Sequence, residues 1–182
     1  MTRAAAVRPP EPETRVLIRP EHPDDVDAID RLTTAAFEPQ WFSDGSEAPI
    51  IRSLRESGDL TLSLVADDDG DIIGHVAFSP VTIDGSHDGW FGLGPISVRL
   101  DRQRQGIGRA LVAEGLQRLR DRGARGCALV GDPTIYSRMG FTSDGSLSHM
   151  ELDRSLVQQV TFSGPAPRGE LRFATAFGAA AR

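Results

Sequence analysis

Apolar and polar positions repeat with two different periods along this chain, and each change of period marks an element. Arg15-Val-Leu-Ile-Arg19 reads as a short strand. His22-Pro-Asp-Asp25 starts a helix, with Pro23 at its first position and acids in the first turn, where the helix dipole favours them. That helix runs to about Phe37 with Val26, Ile29, Leu32, Thr33 and Ala36 inward. Ser46 is placed to cap a second helix, 47–57, which ends before Gly58. Leu60–Ala66 and Asp71–Ile83 form a hairpin around an Asp-rich turn, and Trp90–Arg99 is a third long strand. From Gly106 to about Arg122 the period returns to helical, with Gly108, Leu111, Val112, Gly115, Leu116 and Leu119 facing a sheet. A strand over 126–130, a short helix near 133–138, and strands at Ser148–Leu152 and Glu170–Phe173 follow. Residues 1–13 and 178–182 read as tails around one domain, 14–177.

The stretch Gln103-Arg104-Gln105-Gly106-Ile107-Gly108 lies between the third strand and the long helix. A glycine-rich turn entering a helix gathers unpaired N–H groups at the positive end of the dipole, a setting that suits phosphate. Tight packing alone also accounts for glycine there. A dinucleotide fingerprint requires a small residue where Leu111 stands. A P-loop requires Gly-Lys-Ser/Thr, and the chain contains no lysine.

Composition narrows the classes. A length of 182 residues fits one domain with a proper core. The net charge of −6 argues against a nucleic-acid partner, which needs a basic face. The absence of lysine removes Schiff-base chemistry. The single cysteine, Cys127, excludes an intrachain disulfide and sits in the apolar run Cys-Ala-Leu-Val as a buried structural residue. No apolar run is long enough to span a membrane, and the N-terminus lacks a signal-peptide core, so a cytoplasmic location is expected. Asp67-Asp-Asp-Gly-Asp71 lacks the ligand register of a calcium loop and reads as a solvated turn; no metal site is expected.

The turn resembles the Gln/Arg-x-x-Gly-x-Gly/Ala motif of the GNAT superfamily of N-acetyltransferases. Leu93-Gly-Pro-Ile-Ser-Val98 is similar to the strand before that motif, and Tyr136-Ser-Arg-Met-Gly140-Phe141 to the Tyr-x-x-x-Gly-Phe signature after it. Gly131-Asp-Pro133 and Gly74-His-Val-Ala-Phe-Ser-Pro80 resemble a bacterial subgroup of small GNAT acetyltransferases. The likeness spans roughly 14–177. It implies an α/β (α+β) fold with a mixed, mostly antiparallel sheet flanked by helices and splayed in a V between its two central parallel strands.

The resemblance implies acetyl-CoA as cosubstrate. The amides of Arg104, Gln105, Gly106, Ile107, Gly108 and Arg109 would hold the pyrophosphate, with side-chain contacts from Gln103 and Arg104. Ile96, Ser97 and Val98 would pair with the pantetheine arm and polarise the thioester. Gly94-Pro95 breaks regular pairing, so a bulge is expected there. Tyr136, the sole tyrosine, matches the family's general acid. A phenol of pKa about 10 stays protonated at neutral pH and can donate to a leaving thiolate. Glu47 is the first choice of general base, against a plain first-turn role beside the helix dipole. His75 reads as a core histidine and His22 as a surface cap. Asp132 orients the turn before Tyr136 or caps the short helix. Arg118, Arg120, Arg122 and Arg125 form a solvated face or a contact for the adenosine phosphate.

The function implied is transfer of acetyl to a primary amine of a small molecule or peptide, as a monomer or homodimer. The late strand 170–174 offers an edge for a dimer. A non-catalytic acyl-CoA-binding module on the same fold is the alternative. The acceptor depends on loop 38–46, with Trp41 and Phe42, and on other weakly patterned segments.

Overall fold

The structure, a computed structural model, describes residues 16–179. The proposed N-terminal tail and Arg15 lie outside that range. The elements in chain order are β1 (Leu17–Pro20), a 3-10 turn (Pro23–Asp25), α1 (Val26–Phe37), α2 (Glu47–Ser57), β2 (Leu62–Asp68) and β3 (Asp71–Pro80). After them come β4 (Thr82–Ile83), β5 (Trp90–Val98), α3 (Ile107–Asp121), β6 (Gly126–Val130) and α4 (Pro133–Tyr136). The last are β7 (Leu147–Ser148), β8 (Val157–Thr161), β9 (Gly169–Arg172) and α5 (Ala176–Ala179). Of the proposed C-terminal tail, Gly178 and Ala179 lie in α5, and 180–182 lie outside the described residues.

Six strands form the main sheet in the order β1-β2-β3-β5-β6-β8, and three form a small sheet in the order β4-β9-β7. The main sheet is antiparallel except for the β5–β6 pair. One face packs on α3: Leu64, Ile73, Val76, Phe78 and Leu129 meet Leu111, Val112, Leu116 and Leu119. Each such side chain contributes about 1.5–3 kcal/mol by leaving water. The expected stripe on α3 is therefore the buried one. The opposite face packs on α1 and α2, where Val65, Ile72 and Ala77 meet Ile29, Leu32 and Ile51. Farther along that face Leu147 and Leu171 of the small sheet, with Val81 beside them, cover Trp90 and Ala128.

Several local readings change. The second arm of the hairpin breaks at Val81: Thr82 and Ile83 leave β3 and pair with Arg172 and Leu171 in the small sheet. The strand expected over Ser148–Leu152 is only Leu147–Ser148, after which the chain turns. β9 is paired on both edges, with β4 and β7, so it has no free edge for a dimer. β8 was not anticipated. Ser46 makes no side-chain cap; its N–H instead donates to Asp44. The Asp-rich turn is ion-paired and not merely solvated: Asp67 binds Arg19, Asp68 binds Arg102 and Asp71 binds Arg99.

Cys127 is fully buried, and burial pushes its thiol pKa up. His75 is a core histidine, as expected. Arg55 donates to both oxygens of Glu21, and Ser63 donates its hydroxyl to Glu21. With that proton committed, Ser63 Oγ accepts from His75 Nε2 at 2.8 Å. The imidazole is therefore the Nε2–H tautomer, and Nδ1 is buried without a partner among the described residues. Burial pushes its pKa down to about 4.

Candidate active site at the fork of the sheet

β5 and β6 run parallel for three rungs, Trp90–Gly126, Phe91–Cys127 and Gly92–Ala128, and then separate. From Leu93 onward β5 keeps β3 on one edge only. Between Phe78–Leu93 and Val76–Ile96 the register advances two residues on β3 and three on β5, so the extra residue falls at Gly94–Pro95. This is the expected bulge; the Gly94–Pro95 peptide is cis. The strands therefore form the expected V, with a backbone edge from Leu93 to Val98 that faces no strand.

The far end of that edge leads into the turn. Gln103 is extended, Arg104 is left-handed at φ 60° and Gly106 is left-handed at φ 87°. The amides from Gln103 to Arg109 donate to no acceptor among the described residues; the first N–H to find one is that of Ala110, on Gly106 O. A run of unpaired donors at the start of a four-turn helix is an anion site. A left-handed non-glycine residue costs about 1–2 kcal/mol, a strain that concentrates at functional loops.

The turn is braced from below. Arg102 binds Asp68, the Gln103 side-chain amide donates to Val98 O at 3.1 Å, and the Gln105 amide donates to Asp101 O at 3.2 Å. Gln103 and Gln105 thus hold the loop with their side chains. Arg104 and Arg109 are exposed, and neither enters an ion pair with another described residue. Ile107, the first residue of α3, is buried, and Gly108 faces β5, where a Cβ would meet Val98 at 3.7 Å. Ile96 and Val98 point to the α3 side. Ser97 points the other way, to Thr33 Oγ1 on α1 at 3.2 Å.

Tyr136 closes the far arm of the V from the α3 side. Its ring lies against Gly131, where a Cβ would sit 2.4 Å from it, and edge-on to Phe141 at 6.2 Å. Glycine at 131 is what lets the ring lie down on the end of β6. Asp132 caps α4 by accepting from Thr134 N at 2.8 Å, which resolves its role. Burial raises the Tyr136 pKa, so the phenol keeps its proton at neutral pH. Sequence reasoning missed Gln158. It is buried on β8, and its amide donates to Gly131 O at 2.9 Å, fixing the corner that carries Tyr136. No sequence signal marks a hydrogen bond across 27 residues.

Glu47 stands in the first turn of α2 on the stripe that continues through Ile50, Ile51 and Leu54, and it accepts from Ser43 Oγ at 2.8 Å. It comes from the face opposite Tyr136, and no direct contact joins the two. Trp41 and Phe42 are exposed, edge-to-face at 5.8 Å. The arginines at and just beyond the end of α3 are engaged in structure: Arg118 with Glu114, Arg120 over Phe162, Arg122 on Thr61 O and Arg125 with Asp88. An open groove of about 400 Å³ lies between α1 and the β5 end, at Arg31, Ala35, Ile72 and Arg99; neither Tyr136 nor Glu47 lines it. Among the described residues no acidic, His or Cys cluster could hold a metal, and no helix is long and apolar enough to cross a membrane.

The profile of the acetyltransferase (GNAT) family matches residues 26–141, a span that contains the fork, the turn and Tyr136. The chain belongs to this family. YhbS of Escherichia coli K12, an uncharacterized N-acetyltransferase, is 46% identical over 127 residues, covering 69% of this chain and 73% of the relative. A GNAT acetyltransferase from Brucella melitensis, crystallised with acetyl-CoA, superposes with a TM-score of 0.81 at 43% identity over 91% of this chain and 99% of that one. The crystal structure of E. coli YhbS with CoA gives 0.85 at 35% identity, over 94% and 96%. The acyl donor of GNAT enzymes is acetyl-CoA, and the unpaired amides and free strand edge described above fit its diphosphate and its amide-bearing arm.

Proposed function

We propose that this protein is an acetyl-CoA-dependent N-acetyltransferase, with residues 14–177 as its catalytic domain, acting in the cytoplasm on a primary amine of a small molecule or peptide by direct attack. The observation that carries the reading is the continuity of one track. The unpaired amides Gln103–Arg109 lead onto the free edge Leu93–Val98, which runs back to the point where β5 and β6 part, and Tyr136 lies against Gly131 at the end of the other arm. The amides and the exposed Arg104 and Arg109 take the diphosphate. Backbone groups near Ile96–Val98 pair with the pantetheine arm as an added strand would, and one N–H polarises the thioester carbonyl. Tyr136 gives its proton to the departing sulfur. Glu47, on the other face, draws in the ammonium and takes its first proton.

Calorimetry with acetyl-CoA is expected to show one site per chain, and a screen of primary amines should release free thiol with at least one acceptor. Binding without turnover would favour a non-catalytic acyl-CoA module, and no binding would end the proposal. The turn has its own test. Gly106→Val forces a β-branched residue to φ near 87°, at about 1–2 kcal/mol, and tilts the amides that follow. Acetyl-CoA affinity should fall by about tenfold or more, since 1.4 kcal/mol is a factor of ten. Gly106→Asn, which tolerates the left-handed region, should retain most of it. Equal affinities for the two variants would show that the turn does not hold the donor.

A further inference from the structure

Acetylating an ammonium removes two protons from one nitrogen, and the arrangement above, on which this inference rests, gives Glu47 only the first. We infer that His149 Nε2 takes the second, as the C–N bond forms.

The chain has four histidines. His22 is exposed at a helix start, and His75 is sealed in the core. His87 is exposed on the hairpin turn, edge-on to Phe91, whose side chain lies on the α3 side. His149 directly follows β7 and is half-buried on the face opposite Tyr136. Its Nδ1 lies 2.8 Å from Leu171 O. A carbonyl oxygen only accepts, so Nδ1 carries the hydrogen and Nε2 presents a lone pair. Nε2 has no partner among the described residues.

Three restraints fix this ring. The first is the bond to Leu171. The second is an edge-on contact with Phe173 at 5.2 Å. The third is the turn closed by Leu152 N on His149 O, with Met150 left-handed at φ 48°. Phe173 in turn lies on β5 at Gly92, where a Cβ would sit 2.8 Å from its ring. Gly92 is the last rung before the strands part. One aromatic ring therefore separates His149 from the fork. Tyr136 stands on one face of the sheet and His149 on the other, as direct attack needs: one group gives a proton to sulfur while the other relieves nitrogen.

The protons balance. Glu47 takes one from the ammonium and passes it to solvent. The nitrogen lone pair attacks the thioester carbon, Nε2 takes the second proton, the C–S bond breaks, and sulfur receives the Tyr136 proton. The imidazolium then returns its proton, through water, to the phenolate. The net release is one proton per acetyl transferred.

His149→Asn and His149→Ala test the assignment beside the wild type. The Asn amide nitrogen takes the place of Nδ1 and can still donate to Leu171 O, but it is no base. His149→Asn should melt like the wild type and His149→Ala lower, and both should bind acetyl-CoA within about threefold of the wild type. Both should nevertheless lose about a hundredfold in kcat with a smaller change in KM for the best amine of the screen. Nitrogen NMR of the wild-type imidazole should show Nδ1 protonated and Nε2 bare. If His149→Asn recovers kcat, or if the tautomer is reversed, His149 only clips β7 to β9 and the inference fails. A wild type that binds acetyl-CoA but acetylates no amine also overturns it, while failure to bind acetyl-CoA removes the proposed function itself.

Discussion

Replacing Tyr136 with Phe is expected to lower kcat by about a hundredfold or more while leaving acetyl-CoA affinity within about twofold. The ring keeps its seat on Gly131 and its edge contact with Phe141, and the hydroxyl has no hydrogen bond to lose among the described residues. Stability should therefore change by no more than about 0.5 kcal/mol. That combination separates an acid that serves the leaving thiolate from an aromatic that only fills a corner. Thiol-release kinetics, calorimetry and a thermal melt on the same preparation decide it. Unchanged kcat would remove Tyr136 from the mechanism. Gln158 offers no such clean separation, because losing its amide strands Gly131 O as well as shifting the phenol.

The second large effect is on stability and comes from His75. Its folded pKa is about 4, below the value of about 6.5 expected for the unfolded chain. The folded protein therefore binds fewer protons than the unfolded chain between those values. The stabilisation is complete above about pH 6.5 and is lost as the pH falls toward 4, by roughly 3 kcal/mol in total. Glu21 and Asp25, whose pKa values are lowered mainly by Arg55 and Ser63 for the first and by Arg19 for the second, add their own loss from the acid end of this window downward. Chemical denaturation at pH 7 and pH 4.5 should show most of that loss in the wild type and a much flatter dependence in His75→Gln. Equal slopes would mean that His75 is not what makes the fold acid-sensitive. The variant is compared by its slope, so a lower stability at neutral pH does not disturb the test.

How far the sequence could be read depended on where each element finds its partners. α1 and α3 bury stripes spaced at helical period, and those stripes are local, so Leu32 and Leu111 announced their faces. The fork was legible because the unusual backbone at Gly94–Pro95 and the glycine turn are adjacent in sequence. β8 was hidden because its inward position at residue 158 is a glutamine, whose burial makes sense only once Gly131 O is beside it. The small sheet was misjudged for a similar reason. Two-residue strands such as Thr82–Ile83 and Leu147–Ser148 carry no period of their own and exist only through β9. The acidic turn looked solvated because its arginine partners lie as far away as 48 residues. His149 had no motif at all; its bare nitrogen follows from a carbonyl contributed by residue 171.

The three rungs at Trp90–Gly126, Phe91–Cys127 and Gly92–Ala128 are the whole hydrogen-bonded seam between the two halves of the main sheet. Past them the two strands no longer pair, with β1–β3 and the rest of β5 on one bank and the remainder of β6, with β8, on the other. A donor arm laid along the open bank would span that gap and tie the banks together. Loading would then rigidify the molecule before any chemistry starts, and each turnover would end by unlacing the join.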